Sequence, residues 1–368
     1  MKPLLLLLLL LSSSAFAQVM PLTLEPDGGN KKASVSEQIG IVKIEIDYNR
    51  PGVKGREGKI WNTPVAHYGF VDQGHGTSYA APWRAGANEN TTMSFSHPVS
   101  IEGKDLPAGK YGFFIALGET ESTLVFSKVN NSWGSFYYDE TMDALRVNVK
   151  NQTLDKSVEW LKYEFTDESD SSVVVAMSWE KRKIAFRVAA DRKKFQMEAF
   201  KSDFRITRPY YDFIAAAYWC VGNNYGLEQA LAWMDRAIYF RVMGEKNFRS
   251  LSTKAAVLTK MNRLDDAKKV MDEAIPFGAI LDLHFYGRNL LSQNQPREAF
   301  KVFKMNYDKH PDDFTTNVGM ARAYSAVGEY KKGLPHLKTA LPKAPDDANK
   351  SRVEGMIKQL EKGEDINK

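Results

Sequence analysis

One cysteine, Cys220, stands among 368 residues, and this excludes an internal disulfide. The fold therefore rests on packing. Cys220 lies in the apolar run 215–221, which predicts a buried, inert thiol. An excess of one charge is also missing. Lys and Arg number 50 against 45 Asp and Glu, and the resulting net +5 includes Lys2. That mild excess is spread along the chain, which excludes the concentrated basic face of a nucleic-acid binder. No apolar run reaches transmembrane length, so the chain is not expected to span a membrane. Catalytic signatures are absent too: there is no Gly-x-Ser-x-Gly, His-Glu-x-x-His, Cys–His pairing or phosphate-cradling loop. No cofactor is implied.

What is present starts with a leader. Lys2, the apolar stretch 4–11 and Ala15-Phe16-Ala17 form the charged, apolar and small-x-small parts of a secretory signal, with cleavage expected after Ala17. This predicts a periplasmic or secreted protein. The expected layout is a signal at 1–17 and a flexible leader at 18–33. A β-rich domain at 34–190, a linker or helix at 191–209 and a helical repeat domain at 210–368 follow.

Period two rules the first half. Val42, Ile44 and Ile46 alternate with Lys43, Glu45 and Asp47. Thr91, Met93 and Phe95 repeat the pattern, as do Tyr111, Phe113 and Ile115. Further along come Leu145, Val147 and Val149, then Leu161, Tyr163 and Phe165. Val173, Val175, Met177 and Trp179 read as a strand that Glu180-Lys181-Arg182-Lys183 turns into Ile184, Phe186 and Val188. Many short strands predict an antiparallel β sandwich or barrel. The segment 61–81 carries Gly, His, Thr and Ser with no period, and reads as a long irregular loop.

After about residue 190 the period becomes 3.6, giving an α+β chain whose C-terminal half is a helical array. Helices are expected in pairs, among them 227–242. Gly333, Ala340 and Pro345 follow Ala299, Asn306 and Pro311 by 34 residues. A copy at 265–274 sits two residues out of register. This resembles the tetratricopeptide repeat, whose helix pairs stack into arrays that hold protein partners. In that resemblance the first helix of each pair lines a groove. The register places Lys260, His284, Arg288 and Arg322 there, which implies an acidic segment or a free C-terminal carboxylate as partner.

The β-rich half carries Tyr48-x-Arg50-Pro51-x-Val53-Lys54-Gly55-Arg56. Pro82-Trp83-Arg84-Ala85-Gly86-Ala87-Asn88-Glu89, Leu106-Pro107-Ala108-Gly109-Lys110-Tyr111 and Trp133-Gly134 follow. Together these resemble a bacterial exported family, domain of unknown function 2911, over roughly 35–242. The resemblance implies no activity, cofactor or catalytic residue. The segment 62–81 is longer than the family's usual link.

Candidate ligand-binding residues are Arg50, Lys54, Arg56, Trp83, Arg84, Asn88 and Glu89. Arg suits a carboxylate, phosphate or sulfated group because its planar fork matches such anions. The competing reading pairs Arg50 or Arg84 with Glu89 or Asp47, and has Asn88 and Glu89 fix the turn. His67 and His75, with Asp72 between them, are ligand types for zinc, but their spacing matches no motif and no metal is expected. Ser78 and Ser94 have no evident base. Glu89, Asp139 and Glu140 are the carboxylates available for glycoside hydrolysis. Trp83, Trp133, Tyr137 and Tyr138 form either a sugar platform or core.

Three functions remain open on the sequence. The first is a non-catalytic exported binding or assembly protein, with a small anionic, glycan or envelope ligand on the β part and a protein partner on the repeats. The second is a hydrolase of envelope or glycan material using His75, Arg84, Asn88 and Glu89. The third is a purely structural protein. Convergence of His75, Arg84 and Glu89 in one pocket would favour the enzyme.

Overall fold

The structure is a computed structural model that describes residues 29–368. The expected signal at 1–17 and the leader through residue 28 lie outside the described residues. The chain divides into two units between Gln196 and Met197.

The first strand begins at Lys31, inside the stretch expected to be leader. Its strands are β1 (Lys31–Ile39), β2 (Val42–Arg50), β3 (Thr91–Phe95), β4 (Val99–Ile101), β5 (Lys104–Leu106), β6 (Gly109–Ala116), β7 (Glu121–Ser127), β8 (Asp143–Thr166) and β9 (Ser172–Ala189). They form one antiparallel sheet in the order β1-β2-β3-β6-β7-β8-β9-β4-β5. Alternation works as expected in β2: Val42, Ile44 and Ile46 are fully buried while Lys43 faces out. β8 is the strand that folds the sheet over. Its first part, 143–150, pairs with β7, and its remainder pairs with β9. Rings from the two layers then meet. Phe113 of β6 lies 5.8 Å from Phe186 of β9 and 6.3 Å from Tyr163 of β8, and Tyr48 of β2 packs edge-on to Tyr163 at 4.8 Å.

Two expectations need correction. The charged run 180–183 is not a turn, since β9 runs through it unbroken. Glu180 instead adopts φ +49, and the pairing register slips opposite it at Val158, so the strand bends without ending. Its carboxylate is buried and accepts the Trp61 indole N–H at 3.0 Å, which is why an acidic residue can sit inside a strand here. Likewise 145–149 and 161–165 belong to the single strand β8, whose polar middle hid its continuity.

The irregular segment 61–81 is pinned at several points. Val71 and Ala81 exchange backbone hydrogen bonds, Gly69 N–H donates to Leu117, and Trp83 bridges to Ile115 of β6. Trp83 then stacks on Trp179 of β9 at 6.1 Å with an 8° interplanar angle, and Trp61 meets both rings edge-on. This indole cluster anchors a loop that has no regular pattern of its own.

Helix α1 (Arg192–Asp203) crosses the division. The second unit then contains α2 (Tyr210–Asn223), α3 (Leu227–Tyr239), α4 (Phe248–Lys260), α5 (Leu264–Ala274), α6 (Ile280–Ser292), α7 (Pro296–Lys309), α8 (Phe314–Ala326), α9 (Tyr330–Ala340) and α10 (Asp347–Glu361). Ile280 and Phe314, the first residues of α6 and α8, are 34 residues apart, and so are Pro296 and Tyr330 of α7 and α9. The array is tetratricopeptide-like by its own register. Close approach depends on small residues. A Cβ on Gly287 of α6 or Gly319 of α8 would meet the Phe303 ring of α7 at 2.7 Å, so that ring wedges between the two helices. The helix expected to run to 242 ends at Tyr239, because Phe240 leaves helical geometry and Gly244 N–H folds back onto the Phe240 carbonyl.

The final helix, α10, buries Val353, Met356 and Leu360 and exposes Lys350, Arg352, Glu354, Lys358 and Glu361, as a polar cap should. Gly363 at φ +73 then reverses the chain, and the residues after it run back over α8.

Candidate functional site

In the β unit, the Trp83-Arg84 loop forms a wall of a cavity of about 470 Å³. Pro64, Val65, His67, Val71, Asp72 and Gln73 of the irregular segment line it, with Ser135 and Phe136 opposite. Arg84 is held from several sides. Its Nη1 donates to the Asn88 carbonyl at 2.9 Å and its guanidinium lies 5.2 Å from the centre of the Phe136 ring. Gly134, at φ +69, passes so close that a Cβ there would sit 2.7 Å from Arg84 Cζ. A side chain here would have to push the guanidinium aside, and φ +69 itself favours glycine. Burial lowers the guanidinium's pKa.

His67 is half-buried beside it. Burial, and then the charge of Arg84, hold its imidazole below its ordinary pKa, against the raising effect of nearby backbone carbonyls. Its Nε2 lies 3.1 Å from Gln73 Nε2, and the same amide nitrogen donates to Ser135 Oγ at 3.0 Å. The Asp72 carboxylate accepts the Gly74 N–H at 2.8 Å.

The seven expected ligand residues do not converge on this cavity. Arg84 and Trp83 line it, although Trp83 is mostly core at 3% exposure. Arg50, Lys54 and Arg56 gather elsewhere. Arg50 Nε donates to the Leu161 carbonyl at 2.8 Å, Lys54 Nζ lies over Trp160, and Arg56 is spent on the Gly52 and Val53 carbonyls of its own loop. Asn88 takes φ +55, and its carbonyl receives both Arg84 and the Gly134 N–H. Glu89 accepts the Asn49 amide at 2.8 Å and stands 3.9 Å from Lys32. Neither Arg50 nor Arg84 forms the ion pair with Glu89 or Asp47 that the sequence left open; backbone carbonyls take that place. His75 packs against the outer edge of Phe136 and does not line the cavity, so of the trio His75, Arg84 and Glu89 only Arg84 does. Trp133 and Tyr137 are exposed while Trp83 and Tyr138 are buried, which breaks up the aromatic platform. Among the described residues no three His, Cys, Asp or Glu side chains gather as a metal would need. No periodicity marks Gln73, Ser135 or Phe136 as residues of a site.

The second site is on the helical unit. Arg288 of α6 is exposed and Arg322 of α8 is half-buried. Burial, with Arg288 and Arg352 adding like charge, pulls the Arg322 guanidinium down to about 10. His284 is buried at 8% exposure, against the rings of Phe285 and Phe303. Burial first, then Arg322 and Arg288, lower its imidazole to about 4. His284 is therefore a neutral floor residue and not the groove cation expected, because the small Gly319 opposite lets α8 close over it. Lys260 is exposed on the last turn of α4, and no contact joins it to the others.

The chain's own residues 365–367 lie across this site. Ser325 Oγ donates to Asp365 Oδ1 at 2.8 Å and accepts the Ile366 N–H at 3.0 Å. Arg322 Nη1 donates to the Ile366 carbonyl and to Asn367 Oδ1, both at 3.2 Å, and Asn367 Nδ2 returns a bond to the Arg322 carbonyl at 3.0 Å. Ile366 is buried among Val318, Ala321, Val353 and Leu360. An acidic, an apolar and an amide residue in succession thus fill a cationic face of α8.

Residues 30–188 match the family model described as protein of unknown function (DUF2911). This is the family the motifs resemble. The match stops at residue 188, so it does not extend to the first helix pair as the motifs had implied. No curated protein matches the chain. Three solved structures are similar to its helical part. A Podosopora anserina protein with nearly identical TPR-like repeats is 13% identical, covering 43% of this chain and 88% of that one, with a TM-score of 0.32. YrrB, described as a TPR protein with an unusual peptide-binding site, is 16% identical over 45% and 84% with a TM-score of 0.30. The MamA RS-1 ArsTM double mutant is 16% identical over 43% and 97% at 0.28. Scores this low add nothing to the helix pairing, which stands on its own register. No helix among the described residues is long and apolar enough to cross a membrane.

Proposed function

We propose that this is an exported, non-catalytic binding and assembly protein. Its helical array takes an acidic segment of a protein partner, and its β unit takes a small ligand at the Arg84 cavity. The observation that carries the reading is the seat of residues 365–367 on α8. There Arg322 and Ser325 engage an acidic–apolar–amide sequence through both its backbone and its side chains, the two kinds of contact from which peptide recognition draws affinity and specificity. Like charge supports it as well. Arg288 and Arg352 add like charge beside the Arg322 guanidinium and lower it, and an incoming carboxylate relieves that repulsion. The leader pattern at 1–17 supports export to the periplasm or beyond.

The test is a binding assay with labelled peptides ending in acidic residues, on the intact chain and on the Arg288→Ala/Arg322→Ala double variant. Affinity should fall with added salt. The double variant should lose binding while its helical circular dichroism is unchanged. Equal binding by both proteins, or none by either, rejects the groove as a partner site.

A further inference from the structure

Two side chains of opposite charge, Arg84 and Asp72, line the cavity of the β unit without pairing. Each is fixed by its own loop. The Arg84 guanidinium rests on the Asn88 carbonyl, Gly134 and Phe136, whereas the Asp72 carboxylate is tied to the Gly74 N–H. Flexible side chains in one cavity would close on each other; these are held apart by turns that include φ +55 at Asn88 and φ +71 at Gly74. The same cavity is lined by Gln73, Ser135 and His67, with the Gln73 amide bonded to both of the others. The remaining lining is apolar: Pro64, Val65, Val71, Trp83 and Phe136.

We propose that this cavity binds a zwitterion with an apolar body, its carboxylate on Arg84 and its ammonium on Asp72. The inference rests on the small-ligand reading of the β unit and names the ligand's chemistry. A guanidinium that spends one bond on a carbonyl keeps its other N–H groups for a carboxylate. An anion alone, such as phosphate, would meet repulsion from Asp72, and a cation alone would meet it from Arg84. A zwitterion satisfies both, and the apolar walls take its side chain. A volume of about 470 Å³ falls within the range of small-molecule pockets. A free apolar amino acid and a short apolar peptide share this chemistry.

Calorimetric titration of the intact chain tests it with four probes: L-leucine, the dipeptide L-leucyl-L-leucine, N-acetyl-L-leucine and L-leucinamide. The first two keep both charges and separate the two sources. N-acetyl-L-leucine lacks the ammonium, and L-leucinamide lacks the carboxylate. A zwitterion should bind, and loss of either charge should weaken binding roughly tenfold or more. Asp72→Asn should erase the penalty on N-acetyl-L-leucine and leave the penalty on L-leucinamide; Arg84→Gln should do the reverse. Wild-type protein that binds N-acetyl-L-leucine as tightly as the zwitterions overturns the proposal and leaves the small-ligand reading standing. Binding of none of the four probes overturns both.

Discussion

Acidification should weaken the helical unit through His284. The imidazole is buried between α6, α7 and α8, and Arg322 and Arg288 add like charge beside it; Asp313 and the Thr315 carbonyl pull the other way and lose. The folded chain therefore holds this group near 4, against an ordinary 6.5. Between those values the unfolded chain carries a proton that the folded chain refuses, so stability falls as pH drops from about 6.5 towards 4. Below that window the loss is complete. A shift of this size corresponds to about 3 kcal/mol. Urea denaturation followed by helical circular dichroism measures it, at pH 7 and pH 4, on wild type and His284→Gln. Glutamine cannot titrate, so the variant keeps the pH dependence of every other group, including His336, which burial also lowers. Wild type should lose about 2–3 kcal/mol more than the variant across the two pH values. Equal losses would refute the argument, and would mean that His284 finds a proton partner in the fold.

Arg84→Ala removes one hydrogen bond to a carbonyl and no ion pair, so a thermal melt should report a loss of about 0.5–1.5 kcal/mol; a loss of about 3–5 kcal/mol would instead indicate a buried ion pair. Gly134→Ala should be worse, at about 1–3 kcal/mol, because φ +69 strains the residue and its Cβ strikes Arg84 Cζ. It should also dislodge the guanidinium from the cavity, and a wild-type melt would contradict this. Burial pushes the Cys220 thiol up to about 11. At pH 8 the native protein should therefore resist an aromatic disulfide reagent until urea unfolds it, and fast stoichiometric labelling would show the thiol accessible.

Much of the fold was legible because its elements are periodic. Val42, Ile44 and Ile46 announced a half-buried strand, and Ala299, Gly333 and Ala340 announced helix pairs. The strands β8 and β9 were misread as pieces because a bulge places charged residues where alternation predicts a turn, and a buried Glu180 needs the distant Trp61 to explain it. The cavity was half legible. Arg84 could be named from a Trp-Arg motif, but Gln73 and Ser135 lie 62 residues apart and meet through one hydrogen bond that no local pattern encodes. Arg50 and Arg56 look identical to Arg84 in sequence, and only the structure shows that they lie away from the cavity, held on the carbonyls of Leu161, Val53 and Gly52. The groove register placed Arg288 and Arg322 on one face, yet it could not show that Gly319 lets α8 bury His284.

The central claim is that the α8 face recognises an acidic–apolar segment, with residues 365–367 as its resident example. The most direct measurement titrates a synthetic peptide, Lys-Gly-Glu-Asp-Ile-Asn-Lys, into three intact chains and reads affinity with circular dichroism as the fold control. They are wild type, the tail-weakened Asp365→Asn/Ile366→Ser variant, and that variant with Arg322→Ala added. Wild type should bind weakly because its own segment competes, and the tail-weakened chain should bind roughly tenfold more tightly. Adding Arg322→Ala should abolish the gain. Equal affinity in all three folded chains would contradict the account.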